Sequence, residues 1–240
     1  MSVVLITGAA AGLGEGIARA FAAQGAKLVL GDISAAPLEA LAAELGAECV
    51  TMVGDVADPA YAAALVELAL ERFGNLDIAI NNAGIVHEPA FLSDIPPETA
   101  RRVIEVDLLG VLWALQAQIP AMQAGAIINI ASVAGLAGAP TLGAYAAAKH
   151  GVVGLTRTAA LENARRGIRV NAVCPSFART AMAGEAQHSK AHEREMTRGI
   201  PMRRLATIEE VVRAVLFLAD PANSFMTGQA LGVDGGLGAV

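Results

Sequence analysis

The chain has 240 residues, 55% hydrophobic and 17% charged, with a formal net charge of −6. Average soluble domains are ~45–50% apolar and ~25% charged, so disorder and coiled coil are excluded as the dominant state. No run of Lys and Arg exceeds two residues, which argues against a nucleic-acid partner, whose phosphates would call for a basic stripe.

Short β-branched runs alternate with long alanine-rich amphipathic segments. In chain order, residues 3–6 read as a strand, 12–24 as a helix, 27–31 as a strand, 35–45 as a helix and 49–53 as a strand. A helix over 59–73, a strand over 76–80 and one long helix over 98–122 follow. Then come a strand over 126–131, a helix over 144–166, a strand over 168–174, a helix over 208–218 and a closing strand over 230–233. Apolar strands separated by helix-length crossovers predict a doubly wound α/β fold, a seven-stranded parallel sheet with helices on both faces. The length fits a single domain, 1–240. Segment 176–205 is richer in His, Glu, Arg and Lys and follows the sixth strand. It reads as a partly helical substrate flap, because ligands of open α/β sheets bind beyond the carboxyl ends of the strands.

The first strand runs into Thr7-Gly8-Ala9-Ala10-Ala11-Gly12-Leu13-Gly14 and then a helix. Glycines there permit a tight turn and close approach to a pyrophosphate, and the helix N-terminus favours an anion. Asp32 ends the second strand, where a carboxylate accepts hydrogen bonds from ribose hydroxyls. A 2′-phosphate would meet that charge, and Ala11, Gly31 and Ile33 supply no cation. The expected cofactor is therefore NAD(H) rather than NADP(H).

Ser132 follows the fifth strand, and Tyr145 and Lys149 lie four apart in a helical run. Positions i and i+4 share a helix face. A free tyrosine titrates near ~10, and a nearby ammonium favours the phenolate. A displacement of ~3 units would need about 4 kcal/mol of differential stabilisation. Ser132 can then hold a carbonyl or alcohol oxygen while Tyr145 exchanges its proton.

Cys49 and Cys174 sit apart in apolar runs and read as buried thiols. The N-terminus has no basic residue before Arg19 and does not read as a signal peptide. No stretch reads as the ~18–20 apolar residues of a spanning helix. The chain thus reads as cytoplasmic, with no membrane partner. His188 and His192, near Glu185, Glu193 and Glu195, lack a third ligand nearby and read as solvated surface, with no metal expected. His87 could rim the substrate pocket or be structural, and His150 reads as structural.

Together, Thr7-Gly8-(x)3-Gly12-x-Gly14, Asn81-Asn82-Ala83-Gly84, Ser132, Tyr145-(x)3-Lys149 and Asn171-(x)3-Pro175 resemble the motif set of the short-chain dehydrogenase/reductase family. Thr227-Gly228-Gln229 and Val233-Asp234-Gly235-Gly236 extend the match over essentially the full chain. The resemblance implies a Rossmann-type fold, a homotetramer, and hydride transfer between nicotinamide and a carbinol carbon. It implies Tyr145 as general acid/base, Lys149 as its electrostatic partner on the nicotinamide ribose, and Ser132 as the group orienting the substrate oxygen. Implied cofactor contacts are Gly8, Ala11, Gly12, Leu13, Gly14, Asp32 and Ile33, with Asp55 and Val56 facing the adenine. Asn81, Asn82, Ala83 and Gly84 border it, Thr180 touches the carboxamide, and Tyr145, Lys149, Pro175 and Phe177 complete the set.

Two positions depart from the family pattern. Asp107 completes the catalytic set where the family often has an asparagine that anchors a proton-relay water. Aspartate has no amide N–H to donate, and its charge is expected to raise the pKa of Lys149 if the two are close. Ser176 replaces the glycine that usually follows Pro175. Residues 133–142 and Phe177 are free of Lys and Arg, so the expected substrate is a neutral secondary alcohol or ketone, cyclic or aromatic. A 3-oxoacyl-thioester reductase is the alternative within the family. A non-catalytic NAD-binding sensor is the alternative outside enzymes, and Ser132 lacks the nucleophile elbow of a serine hydrolase.

Overall fold

The structure is a computed structural model and describes residues 1–46, 48–178, 194 and 196–239. Its strands are β1 (Val3–Thr7), β2 (Lys27–Asp32), β3 (Cys49–Val53), β4 (Ile78–Asn81), β5 (Gly125–Ile130), β6 (Ile168–Pro175) and β7 (Ala230–Val233). All pair in parallel, in the order β3-β2-β1-β4-β5-β6-β7. The described α-helices are α1 (Gly12–Ala23), α2 (Ala35–Leu45), α3 (Pro59–Phe73), α4 (Pro97–Ile104), α5 (Gly110–Ala121), α6 (Gly143–Asn163) and α7 (Ile208–Ala219).

Side chains alternate across a strand, and both faces of this sheet are apolar. Val3 and Leu5 point into one core layer with Leu65 of α3, Leu115 of α5 and Val152 of α6. Val4 and Ile6 point into the other with Ile17 of α1, Leu38 of α2 and Val215 of α7. Each fully buried Leu or Ile contributes roughly 1.5–3 kcal/mol relative to exposure. These two layers, rather than helix propensity, hold the alanine-rich helices against the sheet.

Polar side chains inside the first layer are paired with one another. Asn81 donates to Asn129 Oδ1 at 2.8 Å and to Gln118 Oε1 at 3.1 Å, and Gln118 returns a 2.8 Å bond. Asn129 donates to the Thr156 hydroxyl, which donates to Val152 O. This chain fixes α5 and α6 to the middle of the sheet. At the far side, Arg169 donates to the carbonyls of Leu218, Ala219 and Asp220 and so closes the C-terminal end of α7. Asn171 holds the backbone at Met226 and Gln229, which explains its pairing in sequence with Thr227-Gly228-Gln229.

The element order follows the sequence expectation, with corrections at the boundaries. The strand expected over 76–80 runs Ile78–Asn81, because Asp77 turns its carboxylate back to the Val3 N–H at 2.7 Å. The single helix expected over 98–122 is three pieces, α4, a π-turn over Glu105–Leu109, and α5. The wider turn brings both Val106 and Asp107 inside. The helix expected over 144–166 ends as a 3₁₀ turn, Ala164–Arg166, stopped by Gly167 at φ 73°. Pro97–Ala121 is long and apolar enough to cross a membrane by length and composition, contrary to the sequence expectation. Here it packs against α3 and α6 as a helix of the fold. Most of the proposed flap over 176–205 lies outside the described residues; within it Ile200 and Leu205 are buried, and Ala178 bridges Ala206.

Strand order reverses beside β1, which pairs with β2 on one side and β4 on the other. The loops leaving β1 and β4 therefore diverge and open a crevice at the carboxyl edge. There the β1–α1 loop has almost no space to spare. A Cβ on Gly14 would stand 1.9 Å from Gly8 O and 2.7 Å from Asn82 Nδ2. Overpacking of this kind costs ~1–3 kcal/mol. Gly14→Ala is expected to lower the thermal midpoint by several degrees, checked by calorimetry; an unchanged midpoint would show that the loop can yield.

Candidate active site

Nearly every residue singled out in the sequence lies on the carboxyl edge of the sheet. Gly8–Gly14 leaves β1, Asp32 ends β2, Asp55 and Val56 follow β3, and Asn82–Gly84 follow β4. Ser132 stands just beyond β5, and Pro175 ends β6. Phe177 is partly exposed beyond it. Thr180, His188 and His192, with Glu185, Glu193 and Glu195, lie outside the described residues.

The glycine loop is stitched to the end of β4. The Thr7 hydroxyl accepts the N–H groups of Asn82 and Ala83 at 3.1 and 3.2 Å. The Asn82 amide donates in turn to Thr7 O and Gly8 O. Gly8 and Gly12 take φ of 63° and 59°, which glycine adopts without strain. Ala11 is the N-cap of α1 and offers its first turn no side-chain bond, so those amides are open to an anion. This loop can cradle a diphosphate.

Asp32 does more than the sequence suggested. Its Oδ2 accepts the Ala10 N–H and its Oδ1 accepts the Ser34 N–H, both at 2.9 Å. The carboxylate therefore shapes the loop and keeps lone pairs for a ligand's hydroxyls. Ile33 beside it is 63% exposed, and neither it nor Ala11 brings a cation. Asp55 is met by Arg102 of α4 at 2.7 Å, a partner that sequence spacing gave no means of finding. Partial burial pushes the Asp55 carboxyl up, but the Ala57 N–H and Arg102 outweigh it and hold it below its ordinary value. Val56 packs on Gly110, whose missing Cβ makes room for it.

The second half of the site is built on α6. Lys149 is buried, and its Nζ donates to Ile130 O at 3.2 Å, which anchors the helix to the end of β5. The same Nζ stands 5.5 Å from the centroid of the Tyr145 ring. Ser132 caps the turn Val133–Gly135 by accepting the Ala134 N–H at 3.1 Å, and its hydroxyl points toward Pro175 O. Just before α6, Thr141 takes φ of 67°, a costly conformation for a β-branched residue. Its carbonyl accepts the Ala90 N–H, and Ala90 bridges Leu142, so the loop after β4 is tied to the approach to Tyr145.

Asp107 reaches this site through the π-turn. It is fully buried; its Oδ1 accepts the Ile85 N–H at 2.7 Å and its Oδ2 lies 3.2 Å from Lys149 Nζ. Burial raises the carboxyl pKa, opposed by Lys149 and the Ile85 N–H. For Lys149, burial works against the charge, yet Asp107 foremost, with Tyr145, carries the balance upward. The pair therefore stands at the close range on which the sequence expectation depended.

His87 is buried, and its Nδ1 donates to Glu88 O at 2.8 Å while Nε2 has no partner among the described residues. His150 bonds the Ala146 carbonyl of its own helix, a structural role. Burial pushes the Cys174 thiol up to about 11.

Comparisons with known proteins agree with this geometry. A family model described as enoyl-(acyl carrier protein) reductase matches residues 8–238. The chain is 41% identical over 239 residues to cyclohexanol dehydrogenase of Acinetobacter sp. (strain SE19), covering 97% of this chain and 93% of that protein. The solved structure of levodione reductase superimposes with a TM-score of 0.94 at 37% identity, over 100% of this chain and 98% of that one. The 3-ketoacyl-(acyl-carrier-protein) reductase of Brucella melitensis, solved with NADH, gives 0.92 at 36% identity, over 99% and 98%. With its cradle at β1 and its Ser132, Tyr145 and Lys149 beyond β5, the chain belongs to the short-chain dehydrogenase/reductase family of oxidoreductases.

Proposed function

We propose that this oxidoreductase uses NAD(H) to interconvert a neutral secondary alcohol and its ketone. The observation that carries the reading is the buried Lys149 ammonium, held 5.5 Å from the Tyr145 ring at the carboxyl edge where Ser132 also stands. Bound nicotinamide supplies the hydride acceptor or donor. In alcohol oxidation Tyr145 takes the hydroxyl proton, and Lys149 stabilises the phenolate that must form first. The Ser132 hydroxyl holds the substrate oxygen in line with Tyr145. In ketone reduction the same groups run in reverse, with Tyr145 returning the proton.

The choice of NAD(H) rests on Asp32, whose charge at the end of β2 repels a 2′-phosphate and finds no neighbouring Lys or Arg at Ala11, Gly31 or Ile33. The likeness to an enzyme solved with NADH supports it. The likeness to cyclohexanol dehydrogenase and levodione reductase supports a cyclic alcohol or ketone. Apolar residues 133–142 would receive such a ring without a charged partner. A second reading, reduction of a 3-oxoacyl thioester, is favoured by the likeness to the Brucella enzyme. The proposal includes a single catalytic domain and a homotetramer, in which exposed Leu161 and Phe225 supply apolar surface for subunit contacts.

NADH absorbance across cyclic, aromatic and acyclic secondary alcohols, run with NAD⁺ and NADP⁺ in parallel, tests the function. A 3-oxoacyl thioester with NADH and NADPH tests the rival. Tyr145→Phe is expected to keep NAD binding by calorimetry and to lose turnover by about 10²–10⁴-fold; retention of most activity would exclude the mechanism. Asp32→Ala is expected to shift the ratio of kcat/KM values toward NADP(H). An unchanged ratio would place the discrimination elsewhere.

A further inference from the structure

Lys149 has too little solvent to carry its charge unaided, and Asp107 is its one acidic neighbour among the described residues. The titratable groups acting on the ammonium are Asp107 from the π-turn, Tyr145 from α6 and Cys174 from β6. Burial keeps the Cys174 thiol protonated at neutral pH. The ammonium also donates to the uncharged Ile130 carbonyl, and a Cβ added at Gly84 would stand 3.2 Å from Lys149 Nζ and 3.3 Å from Asp107 Oδ2. Asp107 is held in place by the Ile85 N–H, and its second oxygen is aimed at the ammonium. The turn bearing it is a five-residue π-turn between α4 and α5, a distortion that orients one carboxylate inward.

We propose that Asp107 is a positioning residue that sets the pH window of the site, by keeping a proton on buried Lys149 while offsetting part of the charge that Lys149 presents to Tyr145. The two effects act at opposite ends of the window. A negative charge 3.2 Å from Nζ keeps the ammonium charged further into alkaline pH. The same charge opposes the growth of negative charge on the Tyr145 oxygen. Removing Asp107's charge favours proton loss from every neighbouring group. The whole window then moves down rather than narrowing from one side, as expected for coupled titrations.

Asp107→Asn keeps the shape and an oxygen for the Ile85 N–H while removing the charge. Phenolate absorbance reads the site without substrate or cofactor. The chain has two tyrosines. Tyr61 donates to Met52 O at 2.7 Å, and burial, with Asp32, holds its phenol protonated well above the ordinary range. The phenolate signal of the folded protein therefore belongs to Tyr145, and Tyr145→Phe removes it as a control.

The signal is expected to develop about one pH unit or more lower in Asp107→Asn than in the wild type. An unmoved signal, or one displaced upward, would overturn the proposal. The kinetic arm rests on the alcohol–ketone reading. Both limbs of the kcat/KM profile for alcohol oxidation are expected to move to lower pH together, and a change in magnitude with no change in the limbs would mark a structural role only. Absence of turnover in both proteins would count against the functional reading while leaving the absorbance result intact. If Asp107→Asn does not fold, carbon-detected NMR of the wild type decides the question. An Asp107 carboxyl ionised throughout neutral and alkaline pH is expected, and a protonated one would overturn the assignment.

Discussion

The Thr7 hydroxyl accepts two backbone N–H groups from the neighbouring strand end, and the cofactor side of the site is built outward from that stitch. Strand order reverses at β1, so its loop and that of β4 part company and would drift without a bond between them. Thr7 and Asn82 supply it from both directions, the hydroxyl to the β4 backbone and the amide to the β1 backbone. With the two ends locked, Gly84 is fixed over the Lys149 ammonium, and the glycine loop is fixed against Asn82. The cradle and the proton-handling residues are in this sense one rigid object.

Much of this was legible in the sequence, because the evidence there is periodic. Apolar strands at regular spacing gave the sheet, and the placement of Tyr145 four residues before Lys149 gave a shared helix face. Asp32 was legible by its distance from the glycine loop. Its bonds to Ala10 and Ser34 were not, since a side chain's return to its own loop leaves no periodic trace. The Arg102 partner of Asp55 was hidden for a similar reason, as the two are brought together only when α4 packs beside the end of β3. The π-turn was invisible because one wider turn inside a long helical stretch leaves its apolar pattern nearly intact.

Asp107 shows where a departure from a family pattern acquires physical content. From the sequence it was a missing amide N–H and a charge at unknown distance from Lys149. In the structure it is a charge facing another charge, in a place where neither has water. Buried pairs of this kind gain little net stability, since desolvation of both groups offsets most of their attraction. The pair is better understood through what it does to protons nearby. The Asn81, Gln118, Asn129 and Thr156 network, also buried, is by contrast uncharged.

The strand order also fixes a sequence of assembly during synthesis. Chains emerge N-terminal first, at about 5–20 residues per second. Of the two partners of β1, β2 emerges first, and β4 follows only after the whole of α2, β3 and α3. The half carrying the glycine loop and Asp32 thus leaves the ribosome before the half carrying Ser132, Tyr145 and Lys149. Until β4 follows, β1 has an edge without its final partner, apolar at four of its five residues, the kind that templates mispairing. The central strand of the finished protein is the most vulnerable strand of the nascent one.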